Sequence, residues 1–361
     1  MASDNNIYSY VIPYADNYAQ IDFRANHKDK ITRSTHYALN YSLSTAMYDE
    51  YKMKNYLNNI LGGSLEEDLS DSLVALFNAN VNHFDYNDSV NSKYDYLMLT
   101  TQAALRFYIF AFDFTSVDWG LEYSMYNLPN YNFEKEGWTP SLSFLEEVAE
   151  YNGFGSYLTI KQALPYTLDL ELTGKISFQH CPERPLFASA TQNDFSSEYR
   201  QDLETTLLVK LTKRVTANSF FSLATCFNEL QSNANAQVYD TSLGGVILQE
   251  EYYRRSKLNV ILDSMICFGP ENSFFRIYAT YRQLTYSNRK AQDAGGNLLP
   301  ETRADNEYSA LVEFNQRLGY LWKFNCLLKL GYQYTQNLTN DYLYNYKRDA
   351  VYLGLTSYLY L

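Results

Sequence analysis

The feature that most limits what this chain can become is alternation. Over long stretches apolar and polar residues take turns, the period of an extended strand whose two faces meet different surroundings. From 351 to the last residue, Val351, Leu353, Leu355, Leu359 and Leu361 fall on one face and Tyr352, Gly354, Thr356, Tyr358 and Tyr360 on the other. Leu168, Leu170, Leu172, Ile176 and Phe178 oppose Asp169, Glu171, Thr173, Lys175, Ser177 and Gln179 in the same way. Leu203, Thr205, Leu207, Val209 and Leu211 oppose Arg200, Asp202, Glu204, Thr206 and Lys210, and Leu258, Val260, Leu262 and Ile266 oppose Arg255, Lys257, Asn259 and Asp263.

Runs of this kind predict fourteen strands within a range of 12 to 16, near 18–26, 36–48, 71–84, 94–112, 118–127, 154–163, 167–180, 198–212, 218–230, 252–267, 273–286, 305–319, 324–336 and 348–361. Residues 139–150 either extend the strand after them or form one of their own. Tight links fall at 113–116, 164–166, 214–218, 269–272 and 321–323, and longer polar stretches at 181–197, 231–250, 287–304 and 336–348. Short turns are therefore expected at one end of the sheet and long loops at the other. The stretch 49–70 breaks the pattern: Gly62-Gly63 interrupts it, and Ser64 with Glu67 has capping-box spacing, so a short helical insert at one rim is expected. No linker or low-complexity segment divides the chain, which reads as a single domain over 1–361.

Three observations distinguish a lipid-facing sheet from a soluble one. Charged side chains such as Asp169, Glu171 and Lys175 sit in mid-strand, which suits a wet interior. The runs are longer than the five or six residues usual in soluble strands and match a tilted crossing of a bilayer. Aromatic residues, with 36 Tyr, 21 Phe and 3 Trp making 17% of the chain, gather near strand ends as at Phe220-Phe221, Phe274-Phe275 and Tyr320-Leu321-Trp322, the expected interfacial belts. No apolar run is long enough for a membrane helix. An unpaired amide in hydrocarbon costs several kcal/mol, so a spanning sheet must close on itself. The net charge of −12 argues against nucleic acid as a partner.

The chain resembles a bacterial outer-membrane β-barrel, most tellingly in its final hairpin, Leu327 to Tyr334, then Thr335 to Tyr346, then Lys347 to Leu355. It is similar there to the closing hairpins of many Gram-negative barrels, including the barrel domains of export and surface-assembly proteins. Ending on Leu361 with Tyr360 before it departs from the aromatic final residue usual in those proteins. The resemblance implies a closed antiparallel transmembrane barrel in the outer membrane with short periplasmic turns and long extracellular loops. The N-terminus lacks a basic region followed by an apolar one, so no signal peptide is expected in the sequence as written, as in a processed exported protein.

No enzyme is expected. His27, His36, His83 and His180 lie in no catalytic motif, and the two openings for one are His180 beside Asp169 and Glu171, or His83 near Asp85. Cys181, Cys226, Cys267 and Cys326 have no metal-ligand spacing and read as small buried hydrophobes, and no cofactor or metal is expected. The pore-lining candidates are Asp169, Glu171, Lys175, Arg200, Asp202, Glu204, Lys210, Arg255, Lys257, Asp263, Arg276, Arg282, Glu307, Glu313, Arg317 and Lys329. Either they form opposed rows that set a transverse field and select solutes, or they pair across strands and fill a narrow barrel. Tyr278, Tyr352, Tyr358 and Tyr360 are candidates for stacking an amphipathic solute. The expected function is a porin-like channel or transporter for small polar or charged solutes by passive diffusion. The alternative is the barrel of a secretion or surface-assembly system, its periplasmic or secreted protein partner docking on the 49–70 insert. Partners are then outer-membrane lipid, small polar solutes and, in the alternative, that protein. Further readings are an adhesive barrel and a barrel enzyme.

Overall fold

Alternating side chains need two unlike environments, and the chain supplies them by curling one long meander into a closed wall. The computed structural model describes residues 2–4, 16–49, 55–86, 95–109, 115–128, 150–190, 194–269, 273–321 and 324–360. Its strands are β1 (Ala2–Asp4), β2 (Asp16–Lys30), β3 (Thr35–Tyr48), β4 (Tyr56–Ser70), β5 (Leu73–Tyr86), β6 (Tyr96–Ile109), β7 (Thr115–Asn127), β8 (Tyr151–Leu164), β9 (Leu168–Phe187), β10 (Phe195–Thr216), β11 (Ser219–Ser232), β12 (Ala236–Asp240), β13 (Gly245–Gln249), β14 (Arg255–Phe268), β15 (Ser273–Gln292), β16 (Leu298–Leu321), β17 (Phe324–Thr339) and β18 (Tyr346–Tyr360). Fifteen of them, β2 to β11 and β14 to β18, make the barrel, each antiparallel to the next, with β12–β13 a separate small hairpin between β11 and β14.

All fourteen predicted strands are present, and the fifteenth is β4, where the sequence suggested helical turns. Leu57, Leu61, Leu65 and Leu69 recur every four residues, a spacing that satisfies one face of a helix and one face of a strand equally well. Pairing with β3 and β5 on both sides decides for the strand. Glu67 does not cap a helix; it accepts hydrogen bonds from the hydroxyls of Ser34 (2.9 Å) and Thr35. Residues 50–54 and 139–150, apart from Glu150, lie outside the described residues.

An odd count has a geometric consequence. A meander of fifteen strands leaves the first and last pointing the same way, so the seam is parallel, Thr356–Tyr360 against Asp22–Asn26, rather than antiparallel as expected throughout. At the other end of the seam β1 lies between β18 and β2, antiparallel to both, which makes a local sixteenth strand.

The two ends of the wall differ, and the tight links expected at 164–166 and 214–218 are present, while those expected at 113–116, 269–272 and 321–323 lie partly outside the described residues. Turns at 31–34, 71–72, 165–167 and 217–218 are tight, and at 165–167 Tyr166 and Thr167 take φ of 62° and 59°, the left-handed values that a tight hairpin turn of matching twist requires. At the opposite end the predicted loops are largely paired strand. β9 and β10 run on until Ala188 N donates to Asp194 O at 2.8 Å, β15 and β16 run to a turn at 293–297, and β12–β13 packs between these tall hairpins. Ala234, Ala236, Val238, Tyr252 and Tyr253, with Leu186, Ile247 and Leu298 against them, give this crest a small apolar core. Asn235 ties it to the backbone of Phe187 by two hydrogen bonds, and Gln237 donates to Ser189 O at 2.9 Å.

Candidate functional site

The two faces of the wall are inverted relative to a soluble barrel. Every one of the fifteen strands turns at least one large apolar side chain outward and exposed, among them Ile21, Leu39, Leu61, Phe77, Trp119, Phe154, Leu207, Leu223, Leu262, Ile277, Leu330 and Leu353. The other face is the concave one. Lys175 on β9 reaches across β8 to Glu122 on β7 at 2.5 Å, and Tyr346 on β18 reaches across β17 to Glu307 on β16 at 2.7 Å. Side chains skip a strand in this way only where neighbours converge, inside the curve.

Register carries the inward set around the barrel, because paired residues share a face. Glu171 pairs with Lys210, Ser177 with Glu204, Asp263 with Tyr278, Arg276 with Glu313, Arg282 with Glu307 and Asn315 with Lys329. All sixteen candidates therefore share the inward face. The structure does not gather them into opposed rows; it interleaves them as neighbours. Arg276 holds Asp263 with two bonds of 3.1 and 3.2 Å, Arg282 donates to Glu307 at 2.6 Å, and Asn228 donates to Glu204 at 2.5 Å. Arg214 reaches Asp169 at 2.9 Å. Two residues outside the candidate set form the same kind of pair, Arg106 on Asp118 at 2.7 and 3.0 Å. Toward the tight-turn end this ionic wall borders a cavity of about 920 Å³, whose lining includes Lys161, Asp169, Glu171, Lys210, Asp263 and Tyr278.

Near the crest two clasps repeat one design. Arg200 holds Asp202, and Arg303 holds Asp305, each through three bonds between 2.6 and 3.1 Å from residues two apart on one strand face. Tyr253 covers the first guanidinium at 4.3 Å from ring centre to Cζ, and Tyr344 covers the second at 3.2 Å. Arg200 and Asp202 are 4% and 2% exposed, so these two candidates serve the wall and its crest rather than the open interior. Their burial under Tyr253 depends on a loop that alternation in β10 does not disclose.

The sector from β3 to β6 is different and was not predicted. Between Ala38 and Tyr48, Tyr56 and Ser64, Leu76 and Tyr86, and Tyr96 and Ala104, the inward positions hold Asn40, Asn58, Asn78, Asn80, Asn82 and Gln102 with Ser, Thr and apolar residues, and no Asp, Glu, Lys, Arg or His. Above them the rings of Tyr56, Phe84, Tyr96, Tyr126 and Tyr151 stack in sequence across five strands, with centroids 5.1 to 5.8 Å apart and interplanar angles of 5° to 30°. Twice along this series the next ring sits two residues nearer the tight-turn end than its paired position. That offsets the climb which strand tilt imposes on a row of paired residues, so the rings run close to level inside the mouth. The parity of Asn78, Asn80 and Asn82 was the available sign of this sector.

The remaining sequence candidates separate. Tyr352 lies over Gly331, where a Cβ would strike its ring, and bonds Glu313, while Tyr278 borders the cavity. The side chains of Tyr358 and Tyr360 lie outside the described ones. His180 faces outward against Tyr199, on the opposite face of β9 from Asp169 and Glu171, so that pair of roles is not assembled. His83 and Asp85 do meet, at 3.3 Å, both on the outward face near the mouth. No disulfide joins the four cysteines.

No protein-family model and no curated protein matches the sequence. Among solved structures, CdiB from Acinetobacter baumannii aligns with 96% of this chain at 11% identity and a TM-score of 0.42. The chain spans 61% of the length of that structure.

Proposed function

We propose that this chain is a non-enzymatic outer-membrane barrel that passes small polar solutes through its interior by passive diffusion. The observation that carries the reading is the inverted polarity: an exposed apolar outer face on all fifteen strands around an inner face of amides and ion pairs. A soluble barrel buries apolar residues inside, and this one keeps its polar groups there. Fifteen strands spaced about 4.8 Å apart and tilted about 40° close at a radius of roughly 15 Å, which leaves a passage on the order of 10 Å once side chains are counted. Lipid contacts the outer face, and polar solutes exchange water for the wall's donors and acceptors. Reconstitution in a planar bilayer tests this reading: stepwise conductance supports it, and inserted but silent protein overturns it.

A second reading, the barrel of a secretion or surface-assembly system, is favoured by the crest. The β12–β13 hairpin exposes Tyr239, Leu243 and Val246, with Leu243 71% exposed at the tip, an apolar point that suits a protein partner. The 49–70 segment no longer supports such docking, since β4 is part of the wall. Replacing Leu243 and Val246 by Ser should abolish partner capture and leave conductance intact under this second reading.

A further inference from the structure

We infer that the inner sector of β3 to β6 is a binding track for neutral polyhydroxylated chains, of the oligosaccharide class. The inference rests on the conduit reading and names its substrate class. Three observations carry it: the absence of charge, the kind of polar group present, and the shape at Gly62.

A charged solute lying along the uncharged stretches of β3 to β6 gives up water and meets no opposite charge on them, an unfavourable exchange. The flanking charges are Asp22 and Arg24 on β2 and the Lys175–Glu122 pair beside Gln102. A hydroxyl-rich neutral solute loses little, because each carboxamide offers both a donor and an acceptor and replaces water one bond for one. The ionic wall opposite offers less to such a solute, since Asp263 and Glu307 are already held by Arg276 and Arg282.

The amides are also built into a groove. The carboxamide oxygens of Asn40 on β3 and Asn80 on β5 converge over Gly62 on β4, in the space that a Cβ there would occupy. Glycine thus lets two amides from alternate strands lie side by side on the floor of the wall. Asn58 and Asn82 on the same wall each hold a buried carboxamide oxygen with no hydrogen-bond partner among the described residues. An amide that swings into the interior to meet a hydroxyl gains a bond it lacks against the wall.

Length argues for a chain rather than a single sugar. From Ser64 to Tyr56 the strand covers about 25 Å, or on the order of 20 Å along the barrel axis, which suits several linked rings in extended form. At the top, the stacked girdle spends its ring faces on itself and turns edges and phenol groups toward the passage. It acts as a firm, uncharged rim and not as a stacking slide.

The test uses the full chain with maltohexaose, a neutral linear hexasaccharide, as probe, and hexaglutamate as the charged comparison. In a planar bilayer, maltohexaose should interrupt the current in brief blocking events with a dissociation constant on the order of millimolar, and hexaglutamate should not. Asn40→Asp and Asn80→Asp should each weaken the block about five- to tenfold, the worth of one hydrogen bond plus the introduced charge. Asp263→Asn, across the barrel, should change it less than about twofold. Asn40→Ala and Asn80→Ala serve if the acidic variants do not insert. A conducting barrel that ignores maltohexaose, or one whose block answers equally to Asp263→Asn, overturns the inference and leaves the conduit standing. Absence of conductance overturns the conduit itself, and calorimetry of the detergent-solubilised protein with maltohexaose then decides the track: binding weakened by the Asn variants supports it, and no binding overturns it.

Discussion

The two sides of the inner wall share one pleat, yet they are polar in different ways. On β9 to β18 several charged side chains are committed to one another: Arg276 to Asp263, Arg282 to Glu307, Arg303 to Asp305. On the uncharged stretches of β3 to β6 the inward polar groups are amides and hydroxyls without ion pairs, and two of the amides, Asn58 and Asn82, each keep an oxygen unbonded among the described residues. Ion pairs stiffen a wall because removing one member leaves a charge without a partner. Amides hold a wall weakly and a solute well. Being polar inside is therefore two properties, one structural and one available for recognition, and this barrel places them on opposite sides.

The largest test of that contrast is stability. Arg303→Ala should cost about 3–5 kcal/mol by leaving Asp305 buried without its cation, whereas Asn80→Ala should cost about 1 kcal/mol or less. Unfolding midpoints in denaturant read both, and comparable losses would erase the distinction. The double change Arg303→Met with Asp305→Leu should recover most of the first loss, since an apolar pair of similar volume needs no charge partner.

Glycine positions give the next effect. At Gly120 a Cβ would strike the ring of Tyr157 and the Cβ of Ala104, so Gly120→Ala should cost about 1–3 kcal/mol. At Gly62 the obstacles are two movable carboxamides, and Gly62→Ala should cost under about 1 kcal/mol while weakening any solute held there.

Ion selectivity separates the sectors more finely. Asp263→Asn frees the guanidinium of Arg276 and should move the reversal potential toward anions, and Asn80→Asp should move it toward cations. Shifts of one sign for both would mean that net charge alone matters and position does not.

The smallest effect concerns the crest. Hydrogen bonds from the Asn297 side chain and from the 295 and 297 amides hold the Asp293 carboxyl below the ordinary aspartate range. A lowered pKa adds stability above the ordinary value, near pH 4, that disappears as pH falls through the folded value. Proteolysis at the 293–297 turn should therefore rise on acidification below about pH 4 in the parent and stay flat in Asp293→Asn.

The sequence made fourteen strands and the inward parity of sixteen charged residues legible, because two unlike solvents impose a strict period of two on every strand they bound. It did not disclose β4, whose leucines fit a helix as well as a strand. Nor did it disclose partners such as Lys175 and Glu122, which meet only because β8 curves beneath them. Aromatic residues near strand ends read as interfacial belts, and Phe221 and Phe275 are indeed outward and exposed. Phe84, Tyr96 and Tyr126 lie equally near strand ends but turn inward, and the girdle they form needs both parity and register. The clasps at Arg200 and Arg303 were hidden for another reason. Their covering rings, Tyr253 and Tyr344, come from connections whose path no periodicity describes.

The seam sets the order in which such a molecule comes together. Every other junction in the wall links strands that follow one another, with only the β12–β13 hairpin intervening between β11 and β14, so each can zip from its turn at little entropic cost. The seam alone joins the two extremities of the meander, and does so with five parallel pairs and the short reach of β1. The chain is a curled ribbon before it is a ring. Until the last junction forms, β2 and β18 are open edges seeking a mate, and any strand presented there competes with the barrel's own closure.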